Sequence, residues 1–182
     1  MAVLIDSYSE TNYSATIDLG DISNHAVGQA IALPFGFKYS LTSAKFYLER
    51  NGLCTGNCYA KIYAVTGTVG TDGKPTGAVL ATSDAVDSSG IATGFHLVEF
   101  TFSTPLAVSA GNYCIEFYFS GGDYAGGKYL GGGTDDTTPT HAGNYYYRNA
   151  SETATSSSVT DTIFYLYGDK TALGGSFLFN MV

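Results

Sequence analysis

With 182 residues, 45% of them hydrophobic and 14% aromatic, the chain carries enough apolar surface for one buried core, which excludes a disordered acidic polymer and leaves no room for two large domains. Sixteen acidic residues against eight scattered basic ones give a net charge of −8 and exclude nucleic acid as a partner, because phosphates need clustered cations. No stretch of about 18 consecutive apolar residues occurs, so no helix through a membrane is expected.

In chain order, residues 2–5 form a short apolar strand, and the polar, Tyr-bearing stretch 8–19, with Tyr13, Ala15, Ile17 and Leu19 alternating against Ser14, Thr16 and Asp18, reads as a second strand. Residues 27–33 read as a third, ended by Pro34 and Gly36. In 41–50, Ala44, Phe46 and Leu48 alternate with Lys45, Tyr47 and Glu49. Residues 58–65 follow after a long loop, and 78–83 make a short strand behind the Gly-rich segment 67–77.

The strongest pattern lies in residues 95–119. Two β segments flank a turn-rich connector, one burying Val98, Phe100 and Phe102, the other Tyr113, Ile115, Phe117 and Phe119. The opposite face of the second segment, Asn112, Cys114, Glu116 and Tyr118, reads as an outer sheet surface. Residues 128–130 make a short strand, and 131–142 (GGGTDDTTPTHA) an irregular loop. Strands return at 144–148 and 160–167, and an apolar segment closes the chain at 176–182. About ten strands and no helical periodicity predict an all-β fold: one domain over 1–182, built as a two-sheet antiparallel β-sandwich of jelly-roll type.

No nucleophile–base pair is legible. His25, His96 and His141 lie far apart, outside any H-E-x-x-H motif, and read as surface or packing residues, so no catalytic residue and no enzymatic activity is expected. Asp135 and Asp136 in the Gly-rich loop, Asp84 with Asp87 and Asp18 with Asp21 are weak candidates for calcium, the one cofactor considered; solvated turn aspartates are the simpler reading. Tyr145, Tyr146 and Tyr147, with Tyr124 and Tyr129 nearby, are candidate rings for stacking on a glycan or anchoring a protein partner, against the plainer reading of sheet-packing tyrosines. Phe177 and Phe179 belong to an apolar tail, 169–182, expected either to form a last strand or to dock on a partner subunit. Cys54 and Cys58 are close enough in sequence for a small-loop disulfide, although reduced thiols are the simpler expectation.

Three pieces carry a resemblance: the opening IDSYSETNYS; the block LTSAKFYLERNGLCTGNCYAKIYAVTGTVGTDGKPTGAVLATSDAVD; and PTHAGNYYYRN followed by DTIFYLYG. From about Ile5 to Gly168 the chain resembles a jelly-roll, choice-of-anchor-like β-sandwich domain recurrent in phage virion proteins and bacterial surface proteins. The resemblance implies display on a particle or cell surface and assigns no role to any residue. The opening MAVLIDSYSETNYS has no basic region and no apolar signal core, which favours a phage protein made in the host cytoplasm. The expectation is a virion structural protein, a capsid decoration or head-associated protein acting through protein–protein contacts with virion proteins such as the major capsid protein, and homo-oligomeric. The alternative is a receptor- or glycan-binding module of a tail fibre or cell surface.

Overall fold

The computed structural model describes residues 2–173. Phe177 and Phe179, and with them most of the expected apolar tail, lie outside the described residues. The fold is all-β. Its strands are β1 (Val3–Tyr8), β2 (Ala15–Leu19), β3 (Asn24–Asn51), β4 (Asn57–Thr66), β5 (Lys74–Thr82) and β6 (Val86–Asp87). They continue with β7 (His96–Tyr118), β8 (Tyr129–Asp135), β9 (Asn144–Asn149), β10 (Ala154–Ser157), β11 (Asp161–Thr162) and β12 (Phe164–Ala172). Three single-turn 3-10 segments are the only helical elements among the described residues.

Two long strands organise everything else. β3 spans 28 residues and β7 spans 23, and they pair antiparallel along nearly their whole length. On its other edge β3 takes three partners in turn: β9 opposite 24–30, β12 opposite 37–46 and β8 opposite 48–51. β7 takes β4 opposite 113–118, and β4 takes β5. All these strands join in one mixed sheet, with a single parallel step where Leu19 of β2 meets Asn24 of β3.

The expected breaks at Pro34 and Gly36 and in the middle of residues 95–119 do not end the strands. They become an irregularity in a continuous ladder: Leu33 pairs with Gly111 and Lys38 with Ser109, so four residues of β3 bulge opposite one of β7. Proline is tolerated there because the bulge removes the need for its missing N–H, and Gly36 takes the left-handed conformation at φ +85°. The tip of the bulge, Phe35, is 88% exposed.

The bend lets the two halves of the sheet bury their apolar sides in one cluster. Val27, Ile31, Ile62, Ile115 and Phe117 come from the first half, and Phe46, Leu48, Phe100, Phe164 and Leu166 from the second. Phe117 touches Phe46 and Phe100 at ring-centroid distances of 6.0 and 5.6 Å. Each such ring, removed fully from water, stabilises the fold by roughly 1.5–3 kcal/mol.

Two expectations are corrected by burial. The loop predicted at 131–142 begins as strand β8, and Gly131, Gly132 and Gly133 are buried in it. The face of Cys114 and Glu116 is not an outer surface, since both are fully buried. A second small core of Ala30, Tyr63, Cys114 and Tyr146 covers them, and the outermost strands β5 and β10 curl toward each other to within 8 Å.

Candidate functional site

On β2, β8 and β3 the register aligns three residues in a row, Asp18, Gly131 and Glu49, with glycine in the middle. Two residues along the strands lies the row of Thr16 and Gly133, beside Tyr47; two residues the other way Tyr129 pairs with Asn51. Alternation puts all of these on one face, while Ile17, Gly132 and Leu48 turn inward. A β-carbon on Gly131 would sit 3.0 Å from Thr16 Cγ2 and 3.1 Å from Glu49 Cγ, and one on Gly133 2.9 Å from Tyr47 Cδ1. The glycine strand therefore lets neighbouring side chains fold down across it.

Aromatic rings stand at both ends of this face. At one end Phe95 stacks on Tyr47 at 5.1 Å and lies 4.7 Å from Tyr13, which meets Tyr47 edge-on at 5.5 Å. Tyr13 is 38% exposed and its hydroxyl shares a 2.9 Å hydrogen bond with Thr16. At the other end Tyr124 and Tyr129 lie 5.4 Å apart. Asn51 Nδ2 donates to the Tyr129 hydroxyl at 2.7 Å, and the Tyr124 hydroxyl donates to Asp18 Oδ2 at 3.4 Å. Tyr124 is placed by a single 3-10 turn that Asp123 caps and Gly127 closes at φ +73°, and its own N–H donates to Asp21. From the Gly133 row to the Tyr129 row is four residues of strand, roughly 13 Å at about 3.3 Å per residue.

Between the rings sit two half-buried carboxylates. Burial raises the pKa of Asp18, with the Tyr124 hydroxyl pulling the other way. Burial also raises that of Glu49, and the nearby charge of Asp18 adds to the effect. Neither has a Lys, Arg or His partner among the described residues: Lys128 pairs with Asp123, Lys45 with Glu99, and Arg50 donates to the carbonyls of Ile91 and Gly52.

The other polar clusters are closed. Glu116 is held by the Arg148 guanidinium and by the Tyr146 hydroxyl, while Arg148 also reaches Glu152 and Tyr63. Burial raises the Glu116 pKa against the pull of Arg148. On the far side His141 Nδ1 accepts from the Gly143 N–H at 2.9 Å, so the proton sits on Nε2, which donates to Asp6 at 3.1 Å. The His141 N–H and Gln29 Nε2 both donate to the buried Asp161 carboxylate. A cleft of about 170 Å³ opens beside His141 and Asp6, and both ring nitrogens of His141 are engaged in hydrogen bonds.

Of the residues singled out from sequence, Tyr124 and Tyr129 lie on the aromatic face. Tyr145 and Tyr146 are buried and pack the sheet, and Tyr147 is half-buried on β9 with its ring 6.1 Å from that of Tyr145. Asp135 does not fit a calcium ligand. It is fully buried and accepts from the Tyr8 hydroxyl at 2.6 Å, the Ser14 hydroxyl and the N–H groups of Thr137 and Thr138. Burial opposes its charge, yet those donors hold its pKa down to about 2. Asp136 is exposed and shares Ser14, and no group of three acidic, His or Cys side chains suited to a metal occurs among the described residues. The three cysteines are free and buried. Sequence reasoning missed Tyr13, Tyr47, Phe95 and Glu49 as site residues. The signal was the shared face of Tyr47 and Glu49, whose partner strand was hidden in a glycine run read as loop.

No protein-family model, curated protein or solved structure matches the chain.

Proposed function

We propose that the chain is a non-enzymatic recognition module, a jelly-roll β-sandwich displayed on a phage virion or cell surface, that binds glycan on the face of β2, β8 and β3. The observation that carries this reading is the pair of ring clusters, Tyr13–Tyr47–Phe95 and Tyr124–Tyr129, set on one flat face on either side of a glycine-floored row of carboxylates. Sugar rings offer C–H faces to stack on aromatic faces and hydroxyl donors for carboxylates, and such rings cost little conformational entropy to hold. The packing of the two sheet halves face to face supports the sandwich form. A binding role is favoured over turnover because the two carboxylates lie on an open face and His141 is committed on both nitrogens.

A glycan array with the purified protein tests this. Binding lost in both Tyr47→Ala and Tyr124→Ala, with far-UV dichroism unchanged, supports the proposal; no glycan bound, or binding indifferent to both substitutions, overturns it.

A second reading, capsid decoration through protein contacts with a major capsid protein or with further copies, is favoured by a different observation. Phe35 at the β3 bulge and Val79 and Leu80 on edge strand β5 are exposed apolar side chains of the kind that anchor protein interfaces. High copy number on purified capsids, lost on Phe35→Ser or Leu80→Ser, would favour it over the glycan reading.

A further inference from the structure

We infer that the ligand of the aromatic face is a glycan bearing free amino groups, a de-N-acetylated hexosamine polymer, whose ammonium is received between Asp18 and Glu49. The inference rests on the glycan reading above and specifies the class of sugar. Asp18 and Glu49 flank Gly131 on alternate strands, so their Cα atoms are roughly 10 Å apart, two strand spacings of about 4.8 Å. Glu49 leans over the gap, its Cγ and Oε1 3.1 and 3.4 Å from the position of a β-carbon on Gly131, and the charge of Asp18 acts on it from the strand beyond. A cation placed there meets two carboxylates at once and relieves their mutual repulsion.

No cation among the described residues does this job. Lys128, Lys45 and Arg50 are engaged elsewhere, so the face has nothing to offer an acidic sugar and two charges to repel it. The net charge of −8 extends that preference to long range. The flanking tyrosine faces suit the same ligand, since an aromatic π-face attracts an ammonium as well as stacking on a sugar ring.

The test measures binding of three probes by calorimetry: glucosamine oligomers, N-acetylglucosamine oligomers and a polyuronate. Wild-type protein is expected to bind glucosamine oligomers best, with affinity that falls as salt is raised, and to reject the polyuronate. The Asp18→Asn/Glu49→Gln double variant is expected to lose about tenfold or more for the glucosamine probe, the equivalent of about 1.4 kcal/mol, and distinctly less for the N-acetylated probe, whose hydroxyls alone meet the carboxylates, so that the preference for the amino sugar disappears. Equal affinity for the amino and N-acetylated probes, or a double variant that loses both alike, overturns the choice of sugar and leaves the glycan reading standing. No binding of any probe, with Tyr47→Ala indistinguishable from wild type, sinks the glycan reading itself. Binding of oligolysine in place of the glucosamine oligomers assigns the site to a basic peptide and overturns the inference.

Discussion

Two regions on the side of the sheet away from the main core treat charge in opposite ways. Between β9 and β4, Glu116 of β7 is fully buried and is met by Arg148, Tyr146 and, through Arg148, Tyr63 and Glu152. On β2, β8 and β3, Asp18 and Glu49 remain half open to solvent, close enough to repel one another, and without a cation among the described residues. A carboxylate that is completed by its own chain serves the fold. A carboxylate left short of partners between half-buried rings is available to something else. The difference lies in completion by neighbours, and charge alone would not reveal it.

The largest effect expected from disturbing this contrast is on the closed side. Arg148→Met leaves Glu116 buried without its partner, and breaking such a pair costs about 3–5 kcal/mol. Urea denaturation should show the loss, and the double variant Arg148→Met/Glu116→Gln should recover a large part of it. A cost under about 1 kcal/mol for the single variant would mean that Glu116 is not dependent on Arg148.

Next comes steric closure. A β-carbon on Gly28 would lie 2.4 Å from the Ile115 carbonyl oxygen and 2.6 Å from Tyr146 Cζ. Gly28→Ala must displace backbone or the buried Tyr146 ring, an overpacking cost of roughly 1–3 kcal/mol. Gly131→Ala on the open face meets only Thr16 and Glu49 side chains, at 3.0 and 3.1 Å, and should cost less. Thermal melts of the two variants side by side check the ranking, and equal losses would erase the distinction between the regions.

Acid sensitivity separates the clusters further. The folded-state pKa of Asp135 is depressed to about 2, below the ordinary carboxylate value, by Tyr8, Thr138, Thr137 and Ser14 acting against burial. Its contribution to stability is therefore complete above about pH 4 and is lost as pH falls through about 2. Tyr8→Phe removes the 2.6 Å hydrogen bond and should cost about 1–3 kcal/mol near neutrality, with the acid midpoint moved upward. An acid midpoint unchanged by Tyr8→Phe would show that this carboxylate does not govern the acid limb.

How much of this was legible in the sequence follows from the same physics. Period-two alternation identified the all-β class and the core faces of β3 and β7, because Phe46, Leu48, Phe100 and Phe117 repeat on one side whatever the strand pairs with. It could not show that β3 continues through Pro34 and Gly36, since those residues end most strands and are accommodated here by a bulge. Nor could it place Gly131–Gly133 in a strand, where three residues without side chains have no pattern to read. The site was hidden for that reason: Asp18 and Glu49 become neighbours only through a strand made of glycine. Tyr145 and Tyr146 misled in the other direction, being conspicuous in sequence and buried by the second core and the first.

The smallest expected effect on stability discriminates most sharply between a structural and a recognition role for the open face. Burial, and then the charge of Asp18, raise the folded-state pKa of Glu49 above its ordinary value. A carboxyl whose pKa is raised by folding binds its proton more tightly in the native state. Stability therefore rises as pH falls through the folded pKa, and the ionised form near neutrality is slightly unfavourable to the fold. Glu49→Gln should leave stability at pH 7 unchanged or a little higher, by no more than the few tenths of a kcal/mol typical of surface substitutions, and should flatten the stability profile from the raised folded value down to the ordinary carboxylate value. A structural carboxylate behaves the other way, as Asp135 does. Loss of stability in Glu49→Gln at pH 7 would place this residue with Glu116 among the groups that hold the sheet together and would remove the basis for treating β2, β8 and β3 as a face kept open for a ligand.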